Sequence, residues 1–145
     1  MYKNILIATD GSETAAKALH DGLALAKDLT ANVSAVTVTG PQSEAALGEA
    51  VFAPSVEDYD KICAKEAARI LSQIDGAASA AGVQCKTVHV RHRFPADGIL
   101  DAADRLGCDL IVMGSHGRRG LAKFLLGSQA TEVLTRARTP VLICR

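Results

Sequence analysis

Hydrophobic and polar positions alternate between two periods along this chain. Ile5-Leu6-Ile7-Ala8 is a short unbroken apolar run, the pattern of a strand covered on both faces. Asp10-Gly11-Ser12-Glu13 supplies a turn, with Ser12 as an N-cap and Glu13 in the first helical turn. Ala15, Ala18, Leu19, Gly22, Leu23, Ala26 and Leu29 then recur at helical spacing on one face. Val33 to Val38 is β-branched and reads as a second strand. A helix over about Val56 to Ala81 carries Tyr59, Cys63, Ala67, Ile70, Ile74, Ala77 and Ala81 on one stripe, and Gly82 stops it. A third strand is predicted over Val83 to Val90. Pro95 opens a short helix with Ile99, Leu100, Ala103 and Leu106, closed by Gly107. A fourth strand covers Asp109 to Met113, a last helix residues 129–137, and a fifth strand Thr139 to Cys144.

Strict alternation of strand and helix implies an α/β fold, with a parallel sheet doubly wound by helices on both faces. Residues 40–57 break the rhythm. Gly40-Pro41-Gln42-Ser43 and Gly48 through Pro54-Ser55 form a connection long enough to be a lid or binding loop. Residues 1–145 are expected to form one domain, with no internal repeat.

Composition narrows the picture. Aromatics make up 3% and Trp is absent, so the core must be built from Ala, Val, Leu and Ile. Sixteen basic and sixteen acidic residues cancel, which argues against a nucleic-acid surface. Cys63, Cys85, Cys108 and Cys144 are widely spaced, without a C-x-x-C pair, and read as small core hydrophobes rather than zinc ligands or disulfides. The start of the chain lacks a signal-peptide layout, and no apolar run approaches membrane-spanning length; a cytoplasmic location with no membrane partner is the expectation.

The chemistry concentrates at the ends of two predicted strands. In doubly wound sheets, ligands bind beyond the carboxyl ends of strands where the winding reverses. Ala8-Thr9-Asp10-Gly11-Ser12 follows the first strand, and the stretch from Met113-Gly114-Ser115-His116-Gly117-Arg118 to Gly127-Ser128-Gln129 follows the fourth. Glycines there let backbone approach a polyanion, and the start of the last helix offers N–H groups and a positive dipole end to phosphate. Arg118, Arg119 and Lys123 add cationic side chains on the same loop. A P-loop is excluded because G-x-x-x-x-G-K-[ST] is missing, and the turn after the first strand lacks the G-x-G-x-x-G of a dinucleotide site. Val90-Arg91-His92 offers no phospho-acceptor Asp for a receiver domain.

Gly114 and Gly117, then nine residues, then Gly127-Ser128 resemble the signature of the nucleotide-binding branch of the universal stress protein family. Ile5-Leu6-Ile7-Ala8-Thr9-Asp10-Gly11-Ser12, Asp109-Leu110-Ile111-Val112-Met113-Gly114-Ser115-His116-Gly117 and Pro140-Val141-Leu142-Ile143 agree with it, so the resemblance spans the chain. It implies five parallel strands in the order 3-2-1-4-5. It also implies ATP, or ADP or AMP, as ligand, with magnesium as a candidate companion, and a homodimer formed through Val141, Leu142 and Ile143.

Position by position, the resemblance sets Asp10 near ribose and phosphates, the backbone of Val38 beside adenine, and Met113 and Gly114 flanking adenine and ribose. Gly117, Gly127, Ser128 and Gln129 take the phosphate-cradling positions. Ala8, Thr9, Ser115, His116 and Arg118 complete the expected contact set. One departure stands out: Arg93 occupies a place where the family often has glycine, two residues before Pro95. No catalytic residue is assigned. His116 would be a tempting base, yet no acid is placed by sequence to orient it, and His20 and His89 read as structural.

The leading expectation is an ATP-binding stress-response switch with at most slow hydrolysis. A weak magnesium-dependent ATPase or nucleotidyl-transfer enzyme is the first alternative. A structural dimeric interaction module without nucleotide is the second.

Overall fold

A computed structural model describes residues 1–42, 54–117 and 126–145. Arg118, Arg119, Lys123 and most of the 40–57 connection lie outside the described residues. The elements run β1 (Asn4–Ala8), α1 (Glu13–Leu29), β2 (Asn32–Thr39), α2 (Val56–Ala81), β3 (Cys85–Arg91), α3 (Pro95–Arg105), β4 (Leu110–Gly114), α4 (Ser128–Arg136) and β5 (Val141–Cys144). All strand pairs are parallel and the sheet order is β3-β2-β1-β4-β5. The predicted α/β fold and strand order are those of the structure.

Right-handed crossovers explain the layering. Winding from β1 through β2 to β3 runs one way along the sheet and puts α1 and α2 on one face. The chain then returns to β4 on the other side of β1, and winding onward to β5 puts α3 and α4 on the opposite face. Alternation within each strand follows. Ile5, Ile7, Val33, Leu110 and Val112 pack with Ala18, Leu23 and Ala26 of α1 and Ala78 of α2. Leu6, Ala8, Val36, Ile111 and Met113 pack with Ala96, Ile99, Ala102 and Ala103 of α3 and Ala130 and Val133 of α4. The core is aliphatic, as composition requires, and small residues bring helix and sheet close.

Helix ends show how the chain turns back so quickly. Gly82, at φ 71°, ends α2, and the Val83 amide reaches back to the Ala78 carbonyl at 2.9 Å. This Schellman closure occupies Val83 and Gly82, so β3 begins at Cys85 rather than at Val83 as predicted. Gly107 closes the turn after α3 in the same way, with the Cys108 amide on the Ala103 carbonyl at 2.9 Å. Thr30 does so after α1 at φ 54°, a left-handed conformation that is unfavourable for a β-branched residue. The buried stripe of α2 is Ala67, Ile70, Ile74 and Ala78; Ala77 is only partly covered.

The four cysteines are free, with Cys108 and Cys144 buried and Cys63 and Cys85 half-buried. Burial pushes the Cys85 thiol up to about 11, so it stays protonated at neutral pH. No helix among the described residues is long and apolar enough to cross a membrane.

At the amino-terminal rim, Asp109 accepts the amides of Lys3 and Asn4 at 2.8 and 3.0 Å and ties the start of β1 to β4. Asp109→Ala leaves both amides without their charged acceptor; urea unfolding is expected to show a loss of about 1–2 kcal/mol.

Candidate functional site

Beyond the reversal point between β1 and β4, a cavity of about 500 Å³ opens across the carboxyl rim of the sheet. Its walls come from both layers. Ala8, Thr9 and Asp10 come from the end of β1 and the turn after it, Val36 to Pro41 from the second half of β2 and its exit, and Met113 to Gly117 from the end of β4 and the loop beyond. Tyr59, Glu66, Ala67 and Ile70 of α2 form one side, with Pro95 and Ile99 of α3 and Gly127 to Ala130 at the start of α4 opposite. Every residue expected to contact ligand that lies among the described residues lines this cavity; Arg118 lies outside them.

Local chemistry builds the rim from two loops. After β1, Gly11 takes φ 79°, its amide donating to Thr9 Oγ1 at 3.2 Å, while the Ser12 amide donates to Asp10 Oδ1 at 3.0 Å. Ser12 caps α1, its Oγ accepting from the Ala15 amide at 3.3 Å. The second loop is sewn to its neighbours by backbone. The Ser115 amide donates to the Cys144 carbonyl and the Gly127 amide to the Ser115 carbonyl, both at 2.8 Å. Thr14 Oγ1 donates to the His116 carbonyl at 2.5 Å, joining the start of α1 to the same loop.

The three signature glycines are needed for close approach, not for positive φ. A Cβ on Gly114 would lie 2.9 Å from the carbonyl carbon of Thr14, and one on Gly127 3.1 Å from the Ser115 oxygen. Among the described residues, a Cβ on Gly117 would meet only the Asp10 carboxylate, with Oδ2 at 2.9 Å. Two of the three therefore permit protein backbone to meet protein backbone, and Gly117 alone faces a side chain of the site.

Comparison with known proteins coincides with this arrangement. The model of the universal stress protein family matches residues 1–145. This chain belongs to that family. Universal stress protein YxiE of Bacillus subtilis is 34% identical over 149 residues, covering 100% of both chains. The solved structure of MJ0577, a protein whose Methanocaldococcus jannaschii sequence is a named universal stress protein, superposes with a TM-score of 0.83 at 30% identity, covering 99% of this chain and 96% of its own. Two further solved relatives carry nucleotides. A universal stress protein in complex with cAMP has a TM-score of 0.71 at 26% identity, covering 99% and 97%. The Archaeoglobus fulgidus protein in complex with dAMP has a TM-score of 0.72 at 25% identity, covering 99% and 98%.

In this member of the universal stress protein family the cavity has a marked electrostatic asymmetry. Its charged lining side chains among the described residues are Asp10 and Glu66, both acidic. Glu66 is held by the fork of Arg69, with contacts of 2.9 and 2.7 Å. Among the described residues, positive potential comes from backbone: the amino ends of α1, α3 and α4 all open on the rim. Neither α3 nor α4 has a side-chain cap at its own N-cap residue, Phe94 and Gly127 respectively. Ser128 thus stands at the first helical position and does not cap its helix. His116 Nδ1 pairs with Ser115 Oγ at 2.9 Å, and no carboxylate orients the ring among the described contacts.

Arg93, the family departure, does not enter the cavity. Its guanidinium pairs with Asp101 of α3 at 2.5 Å, and its amide donates to the Thr39 carbonyl. His92 holds φ 55° beside it and meets Asp60 of α2 at 3.2 Å. His89 bridges β3 to β2 through Thr39 Oγ1 at 3.0 Å; burial and then the neighbouring Arg91 lower its pKa. Tyr59 donates its hydroxyl to the Gly40 carbonyl at 3.0 Å and fastens α2 to the end of β2. Tyr59 and Glu66 were missed by sequence reading. Tyr59 sits on the apolar stripe and Glu66 reads as a solvated charge, so nothing local marks either as part of a site whose expected residues are all distant in sequence.

Gly114→Ala and Gly117→Ala are expected to separate. The first forces backbone apart at the α1–β4 contact and should cost about 2 kcal/mol or more; the second meets a side-chain carboxylate rather than backbone and should cost less, about 1 kcal/mol. Urea unfolding of the two variants checks the difference.

Proposed function

We propose that this protein binds an adenine nucleotide, ATP foremost, at the rim cavity and acts as a nucleotide-dependent switch in stress response. The reading is carried by one observation: at a single cavity, an open backbone edge of β2 stands opposite the uncapped start of α4. In β2 the Val36 carbonyl accepts from the Thr9 amide, after which β1 has ended. The amide and carbonyl of Val38 point to that same side, because strand backbone groups alternate sides residue by residue. Thr39 faces the other way, its carbonyl taken by Arg93. A donor and an acceptor on one strand edge suit the hydrogen-bonding edge of adenine, with Ile99, Met113 and Val36 supplying apolar walls.

Phosphates would then lie toward Gly117, Gly127 and Ser128, where helix amides and dipole favour anions. The charged lining among the described residues is acidic, and magnesium held by Asp10 fits a carboxylate donor beside the phosphates. The nucleotide complexes of the solved relatives support the ligand class. Binding alters the protein only as far as it favours one arrangement of the rim over another, and Tyr59, on the cavity wall and bonded to Gly40, is suited to pass such a change to α2. Titration calorimetry on nucleotide-stripped protein should give saturable ATP binding, weakened by removal of magnesium. Absence of affinity for ATP, ADP and AMP up to millimolar concentration rejects the reading.

A homodimer through β5 accompanies this proposal. β5 is an edge strand, and Leu142 upon it is 40% exposed, so backbone and apolar side chain both invite a second copy. Leu142→Asp should shift the protein from dimer to monomer in light scattering; a monomeric parent protein would refute the dimer.

A further inference from the structure

Gln129 is the second residue of α4 and lines the cavity. Its Oε1 accepts the amide of Ala96 at 3.0 Å, in the first turn of α3. Phe94, the N-cap of α3, has no side chain able to do this. A neighbouring helix therefore supplies the cap. Ala96 is fully buried and its N–H can only donate, so the oxygen end of the carboxamide must face it. The NH₂ end is thereby turned away from α3. Among the described residues it meets no protein acceptor, and it is not shut off from solvent. A two-headed side chain on the cavity wall is held by one head, which leaves the other available as a donor.

We propose that Gln129 determines ligand specificity through its side chain, offering Nε2–H to a phosphoryl oxygen of the bound nucleotide. This rests on the nucleotide reading above. The acceptor is phosphoryl because Gln129 belongs to the first turn of α4, where anions are favoured, while the strand edge at Val38 lies across the cavity. A rotamer already locked by Ala96 loses little freedom when the ligand arrives, so the contact selects for an oxyanion without a basic side chain. The donor role belongs to the side chain and is separate from the backbone position that the family signature implies.

Gln129→Glu and Gln129→Leu separate the two heads. Glutamate keeps the acceptor for Ala96, and the amino ends of α3 and α4 hold it ionised. The melting temperature of ligand-free Gln129→Glu should equal or exceed that of the parent, while AMP and ATP affinity, by calorimetry, falls at least about tenfold. Leucine removes both functions: melting temperature falls, and affinity drops about three- to tenfold. In ¹⁵N-labelled parent protein, the side-chain NH₂ signals of Gln129, identified by their loss in the leucine variant, should move on addition of AMP. Binding of AMP by Gln129→Glu within twofold of the parent, or NH₂ signals unmoved at saturation, overturns the role of Gln129 while leaving the nucleotide reading intact. A parent protein that binds neither AMP nor ATP overturns both.

Discussion

Backbone meets backbone where the end of β4 runs against the first turn of α1, and the rest of the rim depends on that contact. A side chain at Gly114 would stand 2.9 Å from Thr14, so only glycine lets the strand end lie beneath the helix start. From there the chain of contacts is nearly all main-chain. Thr14 holds the His116 carbonyl, the Cys144 carbonyl holds Ser115, and the Ser115 carbonyl holds the amide of Gly127. The amino ends of α1 and α4 are thus drawn to the point where the sheet winding reverses. A rim joined largely through backbone leaves side chains to set selectivity.

That construction also decides the electrostatics. Among the described residues the charged walls are carboxylates, which would repel an anion if they acted alone. The converging helix starts counter this, and they do so without the conformational entropy that long basic side chains lose on binding. Gln129 fits the same economy, since its carboxamide satisfies one helix start while projecting a neutral donor beside another. Arg93 shows the converse: a cation at the family's glycine position is drawn outward by Asp101 and stays clear of the cavity.

Elements and their order were legible because each carries a local signal. β-branched runs mark the strands, Ser12 marks the start of α1, and Gly82 and Gly107 mark closures after α2 and α3. Thr30 gave no such signal, since a β-branched residue in a left-handed conformation is held there by the Schellman hydrogen bonds around it and not by its own preference. The positions lining the cavity were legible through the family signature, yet the reasons for two of its glycines were not. Gly114 and Gly127 look like ligand-facing positions in sequence, whereas what they meet is protein backbone from distant segments. Long-range contacts also hid Tyr59, Glu66 and the capping of α3 by Gln129. The last helix, expected from residue 129, begins at Ser128, because Gly127 occupies the capping position.

The placement of Tyr59 carries an optical consequence. The chain has no Trp and two Tyr, and Tyr2 precedes β1 at the opposite rim of the sheet. Ultraviolet emission therefore comes from two phenols, one of which stands on the cavity wall with its hydroxyl on the Gly40 carbonyl. An occupant that disturbs that hydroxyl, or stacks near the ring, changes about half of the intrinsic fluorophores at once. The fold thus carries its own label at the cavity, against a background of one distant chromophore.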